Sequence, residues 1–139
     1  MSQLVNVLYP LPDLRRTPLS TVRWWESRRL VFNKAVGASG LVTLAGVSFF
    51  SLLPPGTLGE PNLLAMAAFA AGYGIVANVC YSLGWMAELA ARALWGREAP
   101  DLGPLLFRQG LIFSVGLTLL PVLVTAMLWV VHIVLAIAT

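Results

Sequence analysis

The sequence predicts an all-α membrane protein with three transmembrane helices, an N-terminal interfacial helix and a cytoplasmic N-terminus. Three observations carry this expectation. Of 139 residues, 58% are hydrophobic and 11% charged, and mean hydropathy is +0.82; soluble proteins hold roughly 45–50% apolar and about 25% charged residues. Three apolar stretches each exceed the roughly 20 residues that a helix needs to cross a bilayer. Drawn as three crossings, the chain also places all nine of its Lys and Arg residues on one side.

Taken in order, residues 1–16 are expected to form an extended cytoplasmic tail. Leu4, Val5, Val7, Leu8, Tyr9, Leu11 and Leu14 make it too apolar for a solvated linker, so it is expected to lie against a protein surface. Residues 17–139 form the three-helix transmembrane domain. Thr17-Pro18 reads as an N-cap followed by a first-turn proline. The helix it starts runs through Arg23-Trp24-Trp25-Glu26-Ser27-Arg28-Arg29 into the first span. Trp24, Trp25, Arg28 and Arg29 combine aromatic rings with flanking cations, as a headgroup-level membrane anchor does. Glu26 and Arg29, three apart, can pair on one face.

The spans are expected at about 30–53, 63–87 and 105–138. The first is stopped by Pro54-Pro55-Gly56, and only Lys34 within it is charged. It begins about thirty residues in and exceeds the 7–15 residues of a signal-peptide core, so it reads as retained. The second opens at Asn62 and continues as a helix to Gly96. Its last two turns should emerge from the lipid, with Glu88 and Arg92 paired four apart in water or among headgroups. The third carries Arg108 near its start and Pro121 inside, where a missing N–H predicts a kink or local opening.

Charge sets the expected orientation. Arg15, Arg16, Arg23, Arg28, Arg29, Lys34, Arg92, Arg97 and Arg108 share one side, and the opposite loop holds only Glu60. The positive-inside rule makes the basic side cytoplasmic and the C-terminus external. Such a rim suits anionic lipids as partners; no basic groove interleaved with stacking aromatics points to nucleic acid.

The run Arg23-Trp24-Trp25-Glu26-Ser27-Arg28-Arg29-Leu30-Val31-Phe32-Asn33 resembles a block found in small uncharacterised bacterial multi-span membrane proteins. There an aromatic-Glu-x-Arg-Arg segment precedes an aromatic-Asn pair and the first helix. The resemblance spans about eleven residues and implies a bacterial inner-membrane location; it carries over no catalytic residue.

Within the membrane, small residues dominate the second helix. Ala68-Gly72 and Ala70-Gly74 are small-xxx-small pairs suited to close helix packing, either within the three-helix unit or against another subunit. Ala35-Ser39-Thr43 makes a similar face on the first helix. Asn78, near mid-span, is expected to bond a neighbouring helix or to contact a substrate. Cys80 reads as a packing residue. His132 is expected either to hydrogen-bond simply or to ligate a haem iron or a (bacterio)chlorophyll magnesium. One Cys and one His make neither a disulfide nor a multi-ligand metal site.

Six acids in all, with no nucleophile elbow or phosphate loop, argue against an enzyme and leave no catalytic residue to name. The expected function is a non-catalytic accessory or scaffolding subunit of a larger bacterial membrane complex, partnered by other membrane subunits; the host is either a photosynthetic or respiratory assembly or a secretion or transport complex. The alternative is a homo-oligomeric small channel or carrier. Labelling of single cysteines, with Cys80 replaced, should find the N-terminus reactive only from the cytoplasm and the C-terminus only from outside. Both termini reacting from one side would contradict three crossings.

Overall fold

A computed structural model describes residues 17–54, 62–96 and 102–138 as three long helices. These are α1 (Pro18–Leu52), α2 (Leu63–Trp95) and α3 (Leu102–Ala138), each long and apolar enough to cross a membrane. The chain is therefore built as a multi-pass membrane protein. The expectations for residues 1–16 fall outside the described residues.

Local sequence explains each boundary. The Thr17 hydroxyl accepts from the Ser20 N–H at 3.3 Å, with Pro18 following at the first helical position. There the ring costs nothing, because that N–H has no helical partner. Residues 18–29 are thus the first three turns of α1, not a separate interfacial helix. The Asn62 side chain caps α2 through the Ala65 N–H at 2.9 Å. Gly96, at φ +60°, ends α2 with its N–H on the Arg92 carbonyl, a conformation glycine adopts without strain. α3 starts three residues before the apolar run implied. Gly103 and Pro104 interrupt the apolar pattern there, but proline is tolerated in a first turn. Pro121 does not interrupt α3, which runs continuously through it, and the Thr125 hydroxyl donates to the Pro121 carbonyl at 2.7 Å.

Contacts fix the arrangement as up-down-up. Trp24 meets Phe107, the Thr43 hydroxyl donates to the Thr118 carbonyl at 2.6 Å, and Phe50 meets Trp129, so α1 and α3 run parallel. Trp25, Arg29 and Asn33 reach Glu88, Ser82 and Asn78 in turn, so α2 runs antiparallel to both. The α1–α3 seam is the most extensive of the three. It uses the small-residue face expected on α1: Ser39 is buried, and a Cβ on Gly46 would stand 2.7 Å from a Val122 methyl. Between helices in lipid, such close approach supplies attraction that the hydrophobic effect does not.

The small-residue pairs of α2 are placed differently from the expected intrachain seam. Ala68, Ala70 and Gly72 are exposed, and a Cβ on Gly72 or Gly74 would meet nothing within 4 Å. The α2 side chains that do pack inward are Tyr73, Ala77, Tyr81, Trp85, Glu88 and Ala91, so α1 and α3 lie on the other side of the helix.

Gly46→Leu should therefore wedge α1 from α3 and destabilise the bundle by about 1–3 kcal/mol, the usual cost of overpacking. Gly37→Leu, at a position with nothing within 4 Å, should leave stability unchanged. Thermal unfolding in detergent, compared between the two, checks this.

Candidate functional site: a buried carboxylate at the charged end

Every charged residue among those described lies at one end of the bundle. These are Arg23, Glu26, Arg28, Arg29 and Lys34 early in α1, Glu88 and Arg92 late in α2, and Arg108 early in α3. At this end the three helices converge on Glu88.

Glu88 is fully buried, which corrects the expectation of a solvated pair with Arg92. One carboxylate oxygen, Oε2, accepts from the Trp25 indole N–H at 2.8 Å; the other, Oε1, accepts from Arg92 Nη2 at 2.9 Å. The second helix of this clamp is α1, and α3 closes it from the third side. A Cβ on Gly103 would stand 2.6 Å from Glu88 Oε2, so only glycine lets α3 approach the carboxylate this closely. Gly84 plays the same part towards α1, since a Cβ there would lie 2.7 Å from the Trp25 ring.

An aromatic cluster encloses the bond. Trp25 packs edge-to-face on Trp24, Tyr81 and Phe107 with ring centroids 5.5, 5.3 and 6.2 Å apart. Such pairs contribute roughly 0.5–1.5 kcal/mol each beyond burial. The Tyr81 hydroxyl donates to the Trp25 backbone carbonyl, tying α2 to α1 next to the indole–carboxylate bond. Phe32, two turns beyond Trp25 on α1, leans on Tyr81 with centroids 4.8 Å apart.

A polar ladder continues from this cluster down the α1–α2 contact. Arg29 Nη2 donates to Glu26 at 2.8 Å, as the three-residue spacing suggested, and also to the Ser82 hydroxyl at 3.1 Å. Below it the Asn78 amide donates to the Asn33 side chain at 3.0 Å and to the Gly74 carbonyl at 3.0 Å. Asn78 thus makes the interhelical bond expected of it. On the α2–α3 contact, the Tyr73 hydroxyl donates to the Ser114 carbonyl at 2.9 Å.

The four residues read as a headgroup anchor separate. Arg28 lies over the Trp24 ring, its Cζ 3.8 Å from the centroid. Arg29 turns towards α2. The Trp25 side chain is 2% exposed and faces the interior, where its N–H serves Glu88. His132 lies towards the opposite end, partly buried, and its Nδ1 has no hydrogen-bond partner among the described residues. No group of three or more metal-ligating side chains occurs among the described residues.

Sequence reasoning missed Glu88 as an interior group and Tyr81, Gly84, Gly103 and Phe107 as its surroundings. A signal existed for the α2 members. Positions 81, 84 and 88 recur at i, i+3 and i+7, which places Tyr81, Gly84 and Glu88 on one helix face.

Trp25→Phe keeps an aromatic ring but removes the N–H, and should cost roughly 1.5–3 kcal/mol, the worth of a hydrogen bond to a charged group. Glu88→Ala should cost about 3–5 kcal/mol by stripping a buried pair of one member. In a double-mutant cycle on thermal unfolding in detergent, Trp25→Phe combined with Glu88→Gln should destabilise less than the two singly combined. Strict additivity would show that the bond contributes nothing.

The chain matches no family model, no curated protein and no solved structure, so the site is read from its own residues.

Proposed function

We propose that the chain is a non-catalytic accessory or scaffolding subunit of a larger bacterial membrane complex, with its basic end in the cytoplasm. The observation that carries this reading is the open face of α2. The small residues of α1 are used within the chain: Thr43 and Gly46 meet α3, and Ser39 is buried. The equivalent pair on α2, Ala68 and Gly72, is left uncovered. Small side chains offer lipid little contact area yet permit another helix to approach closely, so this face is suited to a helix from another subunit.

Co-purification from native membranes in mild detergent, with variants at matched abundance, tests the proposal. Wild-type protein should retain other membrane chains. Gly72→Leu should reduce their recovery several-fold, whereas Gly37→Leu on α1 should not. Recovery of the chain alone, or only as a self-oligomer, would refute the subunit reading, as would partner recovery that Gly72→Leu leaves unchanged.

A further inference from the structure

Beside the Glu88 clamp, one face of α2 and the Arg29 side chain of α1 frame a shallow groove of ≈ 590 Å³, wide open to the outside of the bundle. Arg29, Asn78 and Ser82 supply its polar groups; Ile75, Val79, Leu83 and Met86 supply apolar walls. From the geometry of this groove we propose that it holds one anionic phospholipid, phosphate at Arg29 and an acyl chain along α2.

Depth is the first argument. Arg29 is the last residue before the apolar run that opens at Leu30, so it stands where hydrocarbon gives way to headgroups. Shape is the second. The α2 residues lining the groove run from Ala71 to Met86, roughly 22 Å at the helical rise per residue. Its polar groups gather where Arg29 meets Ser82, with Asn78 one turn deeper, and from Ser82 to Ala71 the wall runs on for roughly 16 Å, about the depth of one leaflet's hydrocarbon. A lipid, with a charged head and a long apolar tail, matches a cation at one level of the groove and an apolar wall running on beneath it.

Charge is the third argument. Both hydrogen bonds of Arg29 leave through Nη2, and its Nη1 carries none. Its side chain is 31% exposed, so the guanidinium is held in place by Glu26 and Ser82 while still open to an additional acceptor. Arg29 suits a phosphate because its planar fork can bond two oxygens at once. Among the described residues at this end, Arg23, Arg28, Arg29, Lys34, Arg92 and Arg108 outnumber Glu26 and Glu88, so the surroundings favour a lipid with net negative charge. Gly74 forms part of the wall, and its missing side chain leaves the space open. The groove adjoins the Ala68 and Gly72 face on which the assembly reading rests, and Arg29→Gln separates the two, since Arg29 belongs to the groove and not to that face.

The full-length protein, delipidated in detergent, can be given phosphatidylglycerol or phosphatidylcholine with identical acyl chains and examined by native mass spectrometry. One phosphatidylglycerol should be retained per chain, in clear preference to phosphatidylcholine, and millimolar inorganic phosphate should not displace it. Arg29→Gln should lower retention roughly fivefold to tenfold, about 1 kcal/mol or slightly more. Gly74→Leu should fill the trough and lower retention similarly while leaving thermal stability intact, since nothing lies within 4 Å of its Cβ. Lys34→Gln removes an equal charge outside the groove and should change retention little. Equal retention of the two lipids, an equal loss in Lys34→Gln, insensitivity to Gly74→Leu, or displacement by phosphate alone would each overturn the proposal. So would a dimer that Gly74→Leu dissociates in place of lipid retention.

Discussion

The bond between the Trp25 indole and the Glu88 carboxylate is the constraint around which the charged end is organised. A fully buried carboxylate is costly unless both oxygens are occupied by donors. Arg92 can serve one oxygen from the same helix, four residues on, but the other must be served from outside α2. Trp25 meets that need, and in doing so fixes the register of α1 against α2. Once the indole is there, Gly84 must be small enough to admit the ring and Gly103 small enough to admit the carboxylate. Tyr81 and Phe107 then close over the bond, keeping water from competing for it. One ion therefore dictates the identity of side chains on all three helices.

The rest of the bundle is held by weaker and more repetitive means. Away from the clamp, contacts between helices include single hydrogen bonds from Thr43 and Tyr73 to backbone carbonyls, the Asn33–Asn78 pair, and the approach of Gly46 to Val122. Interhelical hydrogen bonds in membranes are worth about 0.6 kcal/mol on average, so none of these alone sets a unique arrangement. At the far end the Trp129 indole donates to the Pro54 carbonyl at 3.0 Å, giving α1 and α3 a second tie there. α2 has no comparable tie among the described residues of its first turns, which is consistent with the exposure of Ala65, Ala68 and Gly72.

How much of this was legible in the sequence depends on the kind of information each feature needs. Apolar run length gives the three helices, and Thr17-Pro18 and Asn62 give two of their starts, because these are local properties. Glu26–Arg29 and Glu88–Arg92 were legible as pairs for the same reason, since helical spacing alone brings them together. Burial of Glu88 was not. An acid followed four residues later by an arginine looks the same in sequence whether the pair faces water or a neighbouring helix, and the difference lies in Trp25, sixty-three residues away. The tryptophan was equally ambiguous, since next to arginines at a helix start it fits an interfacial belt as well as an interior donor. Small residues mislead in the opposite direction. Gly46 and Gly72 are alike in sequence, but only the first has a neighbour.

Helix length explains why the buried ion sits where it does. At about 1.5 Å per residue, α1 with its 35 residues is roughly 52 Å long, far more than the roughly 30 Å of hydrocarbon in a bilayer. Much of the excess lies before Leu30, where Pro18–Arg29 adds about 18 Å. Trp25 is one turn above Arg29, so the clamp lies outside the apolar run of α1, among headgroups or beyond them. There the Glu88–Arg92 pair is spared the full cost of an ion at the bilayer centre, while protein packing still excludes water from its hydrogen bonds. Deeper in the bundle, where that cost would rise, the interhelical contacts use only neutral side chains: Asn33 with Asn78, Tyr73 with Thr118, and the Thr43 hydroxyl on a backbone carbonyl. The grading from ion pair to amide to hydroxyl along the contact thus follows the falling polarity of the surroundings, and it is the bilayer, acting as solvent, that decides which bond each level of the bundle can use.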